Sequence, residues 1–318
     1  MATWTTASAV GQREDLSNVI SRIDPSETPL FSNAKKEVVK AVTHEWQVQE
    51  LASASATNYV NEGADYSYAN PTATTRHGNV CQISVQAGQV SGTLDSVDRA
   101  GRDKETAYVK VLKGLEQRRD IEKYLFSNTA KSTSDPRKTG SLPTWMSNVS
   151  LSTAGTTSAV ASGGNGSATA TMSGNNRALT LALIDEAMKL AYLDGGQPDM
   201  LVMSPSNKVA FSDLSSGSVV TNELHMTSAK EASIIGSVSL YLTDFGTLNA
   251  VVDRYANDTE IYLMDSNFYS IGHLPNRMFK TIDVAPVGDS TRFSLVSEWC
   301  LIMKAPKAHG AVYDLSTS

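Results

Sequence analysis

The sequence predicts an α+β fold in which long, thinly cored extensions leave an alternating α and β body. Three observations predict it. Val80-Cys81-Gln82-Ile83-Ser84-Val85 alternates with the period of two that a strand requires. Residues 95–126 run without proline and set Val97, Ala100, Tyr108, Val111, Leu112 and Leu115 on one face at about 100° per residue. Residues 177–318 alternate helix-period and strand-period segments.

Composition narrows the class. The 318 residues are 41% hydrophobic, enough to core about two structural units and too apolar for a wholly disordered chain. The net charge is −6, which argues against a protein held on nucleic acid by general phosphate neutralisation and leaves only local basic faces. Cys81 and Cys300 lie more than two hundred residues apart in apolar runs and read as buried free thiols. Two cysteines make neither a disulfide framework nor a thiolate zinc site. No apolar run approaches the ~20 residues of a bilayer span, and Met1-Ala2-Thr3-Trp4 opens no secretory signal. A cytosolic, reducing site of synthesis is therefore expected.

In chain order, residues 1–32 are an arm with a short helix near Leu16 to Ile23, ended by Asp24-Pro25-Ser26-Glu27-Thr28-Pro29, whose prolines forbid a continuing helix. Residues 33–92 alternate at both ends (Val38 to His44, then 80–85) around Ala52 to Tyr59, Gly63, Asn70-Pro71 and Gly78. They read as a stretched hairpin too poor in large apolar residues to core itself. The helix 95–126 follows, capped by Asp95 or Ser96 and about 45 Å long. Residues 139–176 carry no charge, and 150–175 are almost entirely Ser, Thr, Ala, Gly and Asn, a loop that neighbouring subunits would pin. Leu181, Ile184, Met188 and Ala191 form a helix stripe stopped at Gly195-Gly196. Strand Met200–Met203 and a short helix opened by Ser204-Pro205 come next. Strands are expected at 238–243, 249–254, 260–264, 268–272, 278–284, 291–304 and 308–313.

The search for chemistry returns no catalytic residue, no cofactor site and no metal site. His44-Glu45-Trp46 lacks the second histidine of a zinc-protease helix. His44, His77, His225, His273 and His309 show no ligand spacing. Asp253, Asp258, Glu260 and Asp265 bracket one strand and could gather on a metal, but Asn257-Asp258 is also ordinary hairpin-turn chemistry. The charge pattern of interest is a basic face of the long helix, Arg99, Arg102, Lys110 and Lys113. It reads as a solvated, ion-paired face or as a contact for a polyanion or an acidic partner.

The order of parts (arm, stretched hairpin, long helix, uncharged loop, α/β region, closing strand) resembles the major capsid proteins of tailed phages with the Hong Kong 97-type fold. Ile23-Asp24-Pro25-Ser26-Glu27-Thr28-Pro29-Leu30 looks like the arm-to-hairpin junction of one group of these proteins, residues 95–126 like their spine helix, and Glu298-Trp299-Cys300-Leu301-Ile302-Met303 with Pro306-Lys307-Ala308 like their returning strand. The resemblance implies an N-terminal arm at 1–32, an extended loop at 33–92, spine helix and peripheral domain at 93–176, an axial domain at 177–288 and a return to the peripheral domain at 289–318. It implies a virion shell subunit made in a bacterial cytoplasm, self-assembling into hexamers and pentamers of an icosahedral head around double-stranded DNA. Scaffolding, portal and decoration proteins are the further partners it implies, with non-specific contact to packaged DNA and no membrane. A tail-tube or decoration protein, and a carboxylate-metal enzyme built on Asp253, stay open as alternatives.

Overall fold

The computed structural model describes residues 25–66, 68, 70–97, 104–151, 161–172, 175–217 and 239–316. The arm helix expected near Leu16, Arg99, Arg102, His225 and the centre of the uncharged stretch lie outside the described residues.

The chain opens with α1 (Pro29–Asn33) and β1 (Lys35–Val38), then the hairpin β2 (Thr43–Val48) and β3 (Thr75–Val80), and β4 (Gln82–Ser91). Helix α2 (Gly92–Ser96) and the long α3 (Glu105–Leu125) follow, then β5 (Asn148–Ser150), α4 (Leu181–Leu193), β6 (Met200–Met203) and α5 (Pro205–Gly217). The chain ends with β7 (Leu240–Thr243), β8 (Gly246–Val252), β9 (Ile261–Met264), β10 (Tyr269–His273), β11 (Lys280–Val284), β12 (Ser290–Met303) and β13 (Gly310–Val312). Helices and sheets are thus mixed as the sequence predicts.

Strand β12 organises the first sheet. It pairs antiparallel with β4 on one side and with β10 and β11 on the other, and β1 joins parallel to β10. From Leu295 to Met303 every residue of β12 is buried, the run expected of a strand with neighbours on both edges and cover on both faces. Helix α3 lies across β4 and β12, with Ile121 and Leu125 buried beneath it. Gln117 also faces inward, because its Nε2 donates to the Ser84 carbonyl at 2.7 Å and the Leu295 carbonyl at 3.3 Å.

The second sheet runs β5-β13-β9-β6-β8-β7. Met200 and Val202 of β6 enter one core with Trp145, Tyr262 and Trp299, while Leu201 and Met203 enter another with Ile184, Met188 and Phe211. One period-two strand therefore serves two cores. Helix α4 stops where Gly195 turns to φ +87° and its N–H bonds the Tyr192 carbonyl, as the Gly-Gly pair predicts. β10 and β11 share the sheet of β12, and β13 shares the sheet of β6 and β9.

Four expectations change. The helix expected over 95–126 is not continuous: α2 closes at Val97, whose ψ of 139° is extended, and α3 starts only at Glu105. Asp95 still caps α3, but across the break, accepting from the Thr106 N–H at 3.2 Å. Val111, placed on the apolar face by spacing, is exposed, because Gln117, Ile121 and Leu125 mark the side that meets the sheet. The strand expected around Val38 to His44 divides, with β1 in the first sheet and β2 in the hairpin. Asn257-Asp258 turns the chain between β8 and β9, yet no hairpin forms, because β6 lies between those two strands.

The flank of the uncharged stretch is held within the chain itself. Gly166, at φ +71°, packs on the Trp145 ring so closely that a Cβ would lie 2.5 Å from it. Its N–H bonds the Thr144 carbonyl, and its carbonyl accepts from Lys131 N. Asn128 grips Ala170 at both its N–H and its carbonyl.

Candidate assembly surfaces

The hairpin β2–β3 roots on the core through aromatic rings. Trp46 of β2 lies 5.4 Å from buried Trp145, and His77 of β3 packs edge-on against Trp145 at 6.5 Å. Buried Asn79 fixes the exit, donating to the Leu301 and Gly140 carbonyls and accepting from the Gly140 N–H. Lys307 pairs with Glu50 at 2.8 Å at the edge of a cleft of about 680 Å³ beside this root. Beyond Gln49 the loop has no core. Leu51 is 97% exposed, Tyr59 80% and Tyr68 90%, with Val60 and Tyr66 also in solvent. Scattered apolar residues at a surface need no explanation, but five within one uncored loop mark a surface made for cover.

A second surface centres on the C-terminal half of α3. Glu122, fully buried, accepts from the Leu30 N–H at 2.7 Å and the Phe31 N–H at 2.8 Å, clasping α1 at the end of the arm. Tyr255 adds a bond from its hydroxyl to the Pro25 carbonyl at 3.2 Å. Burial, and then the hydrogen bond and charge of neighbouring Asp253, push the Glu122 carboxyl up to about 9, so at neutral pH it carries a proton. Asp253 accepts from Tyr255 N through Oδ1, while its buried Oδ2 has no other partner among the described residues.

Four cations gather at Tyr255 and Phe31 on this surface. Arg119 and Arg254 flank Tyr255, Lys123 Nζ reaches the Tyr255 carbonyl at 3.2 Å, and the Arg118 guanidinium sits 5.5 Å from the Phe31 ring. None of these four forms an ion pair among the described residues. By contrast, Lys110 of the basic face read from the sequence pairs with Asp283 at 3.2 Å and Lys113 with Glu116 at 2.6 Å.

Of the carboxylates read as a candidate metal group, Asp253, Glu260 and Asp265 have separate partners. Asp253 faces Glu122, and buried Glu260 bonds the Tyr262 hydroxyl and Asn257. Asp265 caps a turn through the Asn267 N–H. Among the described residues no three His, Cys, Asp or Glu side chains gather to hold a metal. His309 is a core residue, its Nδ1 accepting from Asp265 N, and burial pushes it down to about 4. No helix among the described residues is long and apolar enough to cross a membrane.

A family model described as SU10 major capsid protein matches residues 3–316. The chain belongs to the SU10 major capsid protein family. Within curated proteins it is 33% identical over 121 residues to the major capsid protein of Escherichia phage Phieco32, covering 38% of this chain and 34% of that one. The match thus spans about a third of that relative's length. In structure it is similar to the capsid asymmetric unit of cyanophage A-1(L), with a TM-score of 0.66 at 14% identity over 96% of this chain and 97% of that one. It is also similar to the structure of phage G major capsid and decoration proteins, with a TM-score of 0.55 at 10% identity over 97% and 100%. These likenesses fix the fold as that of Hong Kong 97-type capsids. The likeness to phage major capsid proteins was legible in the order of parts. The clasp at Glu122 was not, because Glu122 and Asp253 lie far apart in sequence.

Proposed function

We propose that this protein is the shell subunit of an icosahedral phage head, acting structurally rather than as an enzyme. It is made in the bacterial cytoplasm and assembles as hexamers and pentamers around double-stranded DNA. The observation that carries the reading is the uncored loop from Leu51 to Tyr68, whose apolar side chains gain burial only against another chain, the logic of an obligate assembly. Scaffolding, portal and decoration proteins are its further partners. Negative-stain microscopy of the expressed protein should show closed shells; monodisperse monomers at high concentration would remove the reading.

Arg118, Arg119, Lys123 and Arg254, which form no ion pair among the described residues, favour contact with the DNA backbone over the face at Lys110 and Lys113, whose ammonium groups already have carboxylate partners. Arg118→Glu combined with Arg119→Glu is expected to weaken binding of a short duplex by about tenfold or more at low salt. Lys110→Glu with Lys113→Glu should change it by less than about twofold, because exposed pairs contribute little. Fluorescence anisotropy across a salt series measures both, and equal losses in the two variants would return the contact to the Lys110 face.

The shell is expected to hold without covalent links through its loop. Cross-linking of the kind known in the type member of the fold needs a lysine amine, and no lysine occurs from Ala41 to Asp103. Lys35 and Lys36 lie on or beside β1, away from the loop tip, with Lys36 donating to the Phe31 and Ala34 carbonyls. Particles boiled in detergent should run as one band near 34.0 kDa, whereas a ladder resistant to reductant would contradict this.

A further inference from the structure

We propose that Cys81 and Cys300 are a built cross-linking pair, which mild oxidation closes into an intrachain disulfide tying the root of the extended hairpin to β12. The register of the first sheet carries the inference. Antiparallel pairing sets Gln82 opposite Trp299, so one step further Cys81 stands opposite Cys300. Directly opposed residues on antiparallel strands have Cα atoms about 4.5–5.5 Å apart, within the range a disulfide spans. Both side chains are fully buried in one small cluster with Val39 and Ile302, against which Trp46 and Leu274 pack. Each thiol shifts the other's titration, as neighbouring sulfurs do.

Whichever thiol loses its proton first attacks the oxidant, and its neighbour resolves the product. With a peroxide as the oxidant, that thiolate attacks one peroxide oxygen, the O–O bond breaks, and the departing hydroxide takes up the thiol's proton as water, leaving a sulfenic acid. The second sulfur then attacks the oxidised one, the S–O bond breaks, and a second water leaves with the second thiol's proton. Two thiols and one peroxide become one disulfide and two waters.

The position gives the link its consequence. Cys81 is the hinge residue between β3 and β4, and its N–H bonds the Val42 carbonyl at 2.7 Å across the hairpin root. A covalent tie there fixes that root to the longest strand of the fold. In a reducing cytosol the pair stays as thiols, so the tie forms after release into an oxidising medium. The chemistry does not depend on the shell reading, and its test is made on the unassembled chain as well as on particles.

The full-length protein is treated with dilute hydrogen peroxide, denatured and alkylated with N-ethylmaleimide. The expected product is about 2 Da lighter than the reduced chain, takes up no maleimide and yields a linked Cys81–Cys300 peptide. It should migrate faster on a non-reducing gel and melt about 5 °C higher, both effects reversed by dithiothreitol. Cys300→Ser and Cys81→Ser should each lose both the 2 Da shift and the faster-migrating band. Two alkylated thiols after a treatment that oxidises the unfolded chain, or links between chains in place of the internal one, would overturn the proposal.

Discussion

Asp253→Asn is expected to remove most of the pH dependence of stability between pH 6.5 and 8. In the native protein Glu122 keeps its proton up to about 9, whereas an unfolded glutamate releases it near 4.5. Between those values the folded state binds one proton more than the unfolded state, so stability falls as pH rises. The slope for one such group is about 1.4 kcal/mol per pH unit. An asparagine at 253 keeps the oxygen that accepts from Tyr255 N and presents an amide N–H toward Glu122. That N–H donates to an ionised Glu122, and no proton is then needed. The other groups that interact with Glu122 are Lys36, Tyr255 and Tyr269. Of these, Lys36 is drawn down by burial to about 8, which acts in the opposite sense only at the alkaline edge of the window. His309, pushed down to about 4, acts below pH 6.5. Both remain in the variant, so the difference between the two proteins isolates the Glu122–Asp253 pair. Urea midpoints at pH 6.5, 7.2 and 8 measure it, and parallel slopes would show that no proton is shared. Glu122→Ala, in contrast, strands the Leu30 and Phe31 N–H groups and should cost about 2–5 kcal/mol across the window.

What the sequence made legible follows from where each signal lives. The stripe Ile184, Met188 and Ala191, the run of β6 and the long closing strand were readable because burial there is set by the element's own period. Helix α3 was misread at both levels for one reason: its environment is set by distant strands. Gln117 is buried because two strand carbonyls await it, and a pattern search that scores only apolar residues passes over it. Val97 and Ala100 continue the helical spacing, yet the chain turns out at Val97, and Asp95 caps a helix other than its own. The pairing of Lys110 with Asp283 and the facing of Cys81 by Cys300 both join residues more than 150 positions apart. Long-range pairing of this kind leaves no local trace.

Excising residues 52–70 and joining the ends through a short Gly-Ser turn is expected to abolish closed shells while leaving the subunit folded. Within the described loop the hydrogen bonds are local, such as Ser55 with Thr57 and Ala64 N to the Asn61 carbonyl. The root stays intact through Trp46 on Trp145, the Thr74 hydroxyl donating to Gln47 and the Lys307–Glu50 pair. The melting temperature of the isolated subunit should therefore move by less than about 2 °C, since surface changes away from such anchors are nearly neutral. Assembly is different. Burying a tyrosine or leucine side chain that starts in solvent contributes roughly 1.5–3 kcal/mol, and the deleted stretch carries Tyr59, Val60, Tyr66 and Tyr68. Repeated at every subunit, that loss removes the association. Tyr59→Ser with Tyr68→Ser tests the same point without altering chain length and should raise the concentration needed for assembly by at least about tenfold. Sedimentation velocity and electron microscopy distinguish shells from free subunits, and closed particles of normal yield from the excised chain would remove the loop from the assembly.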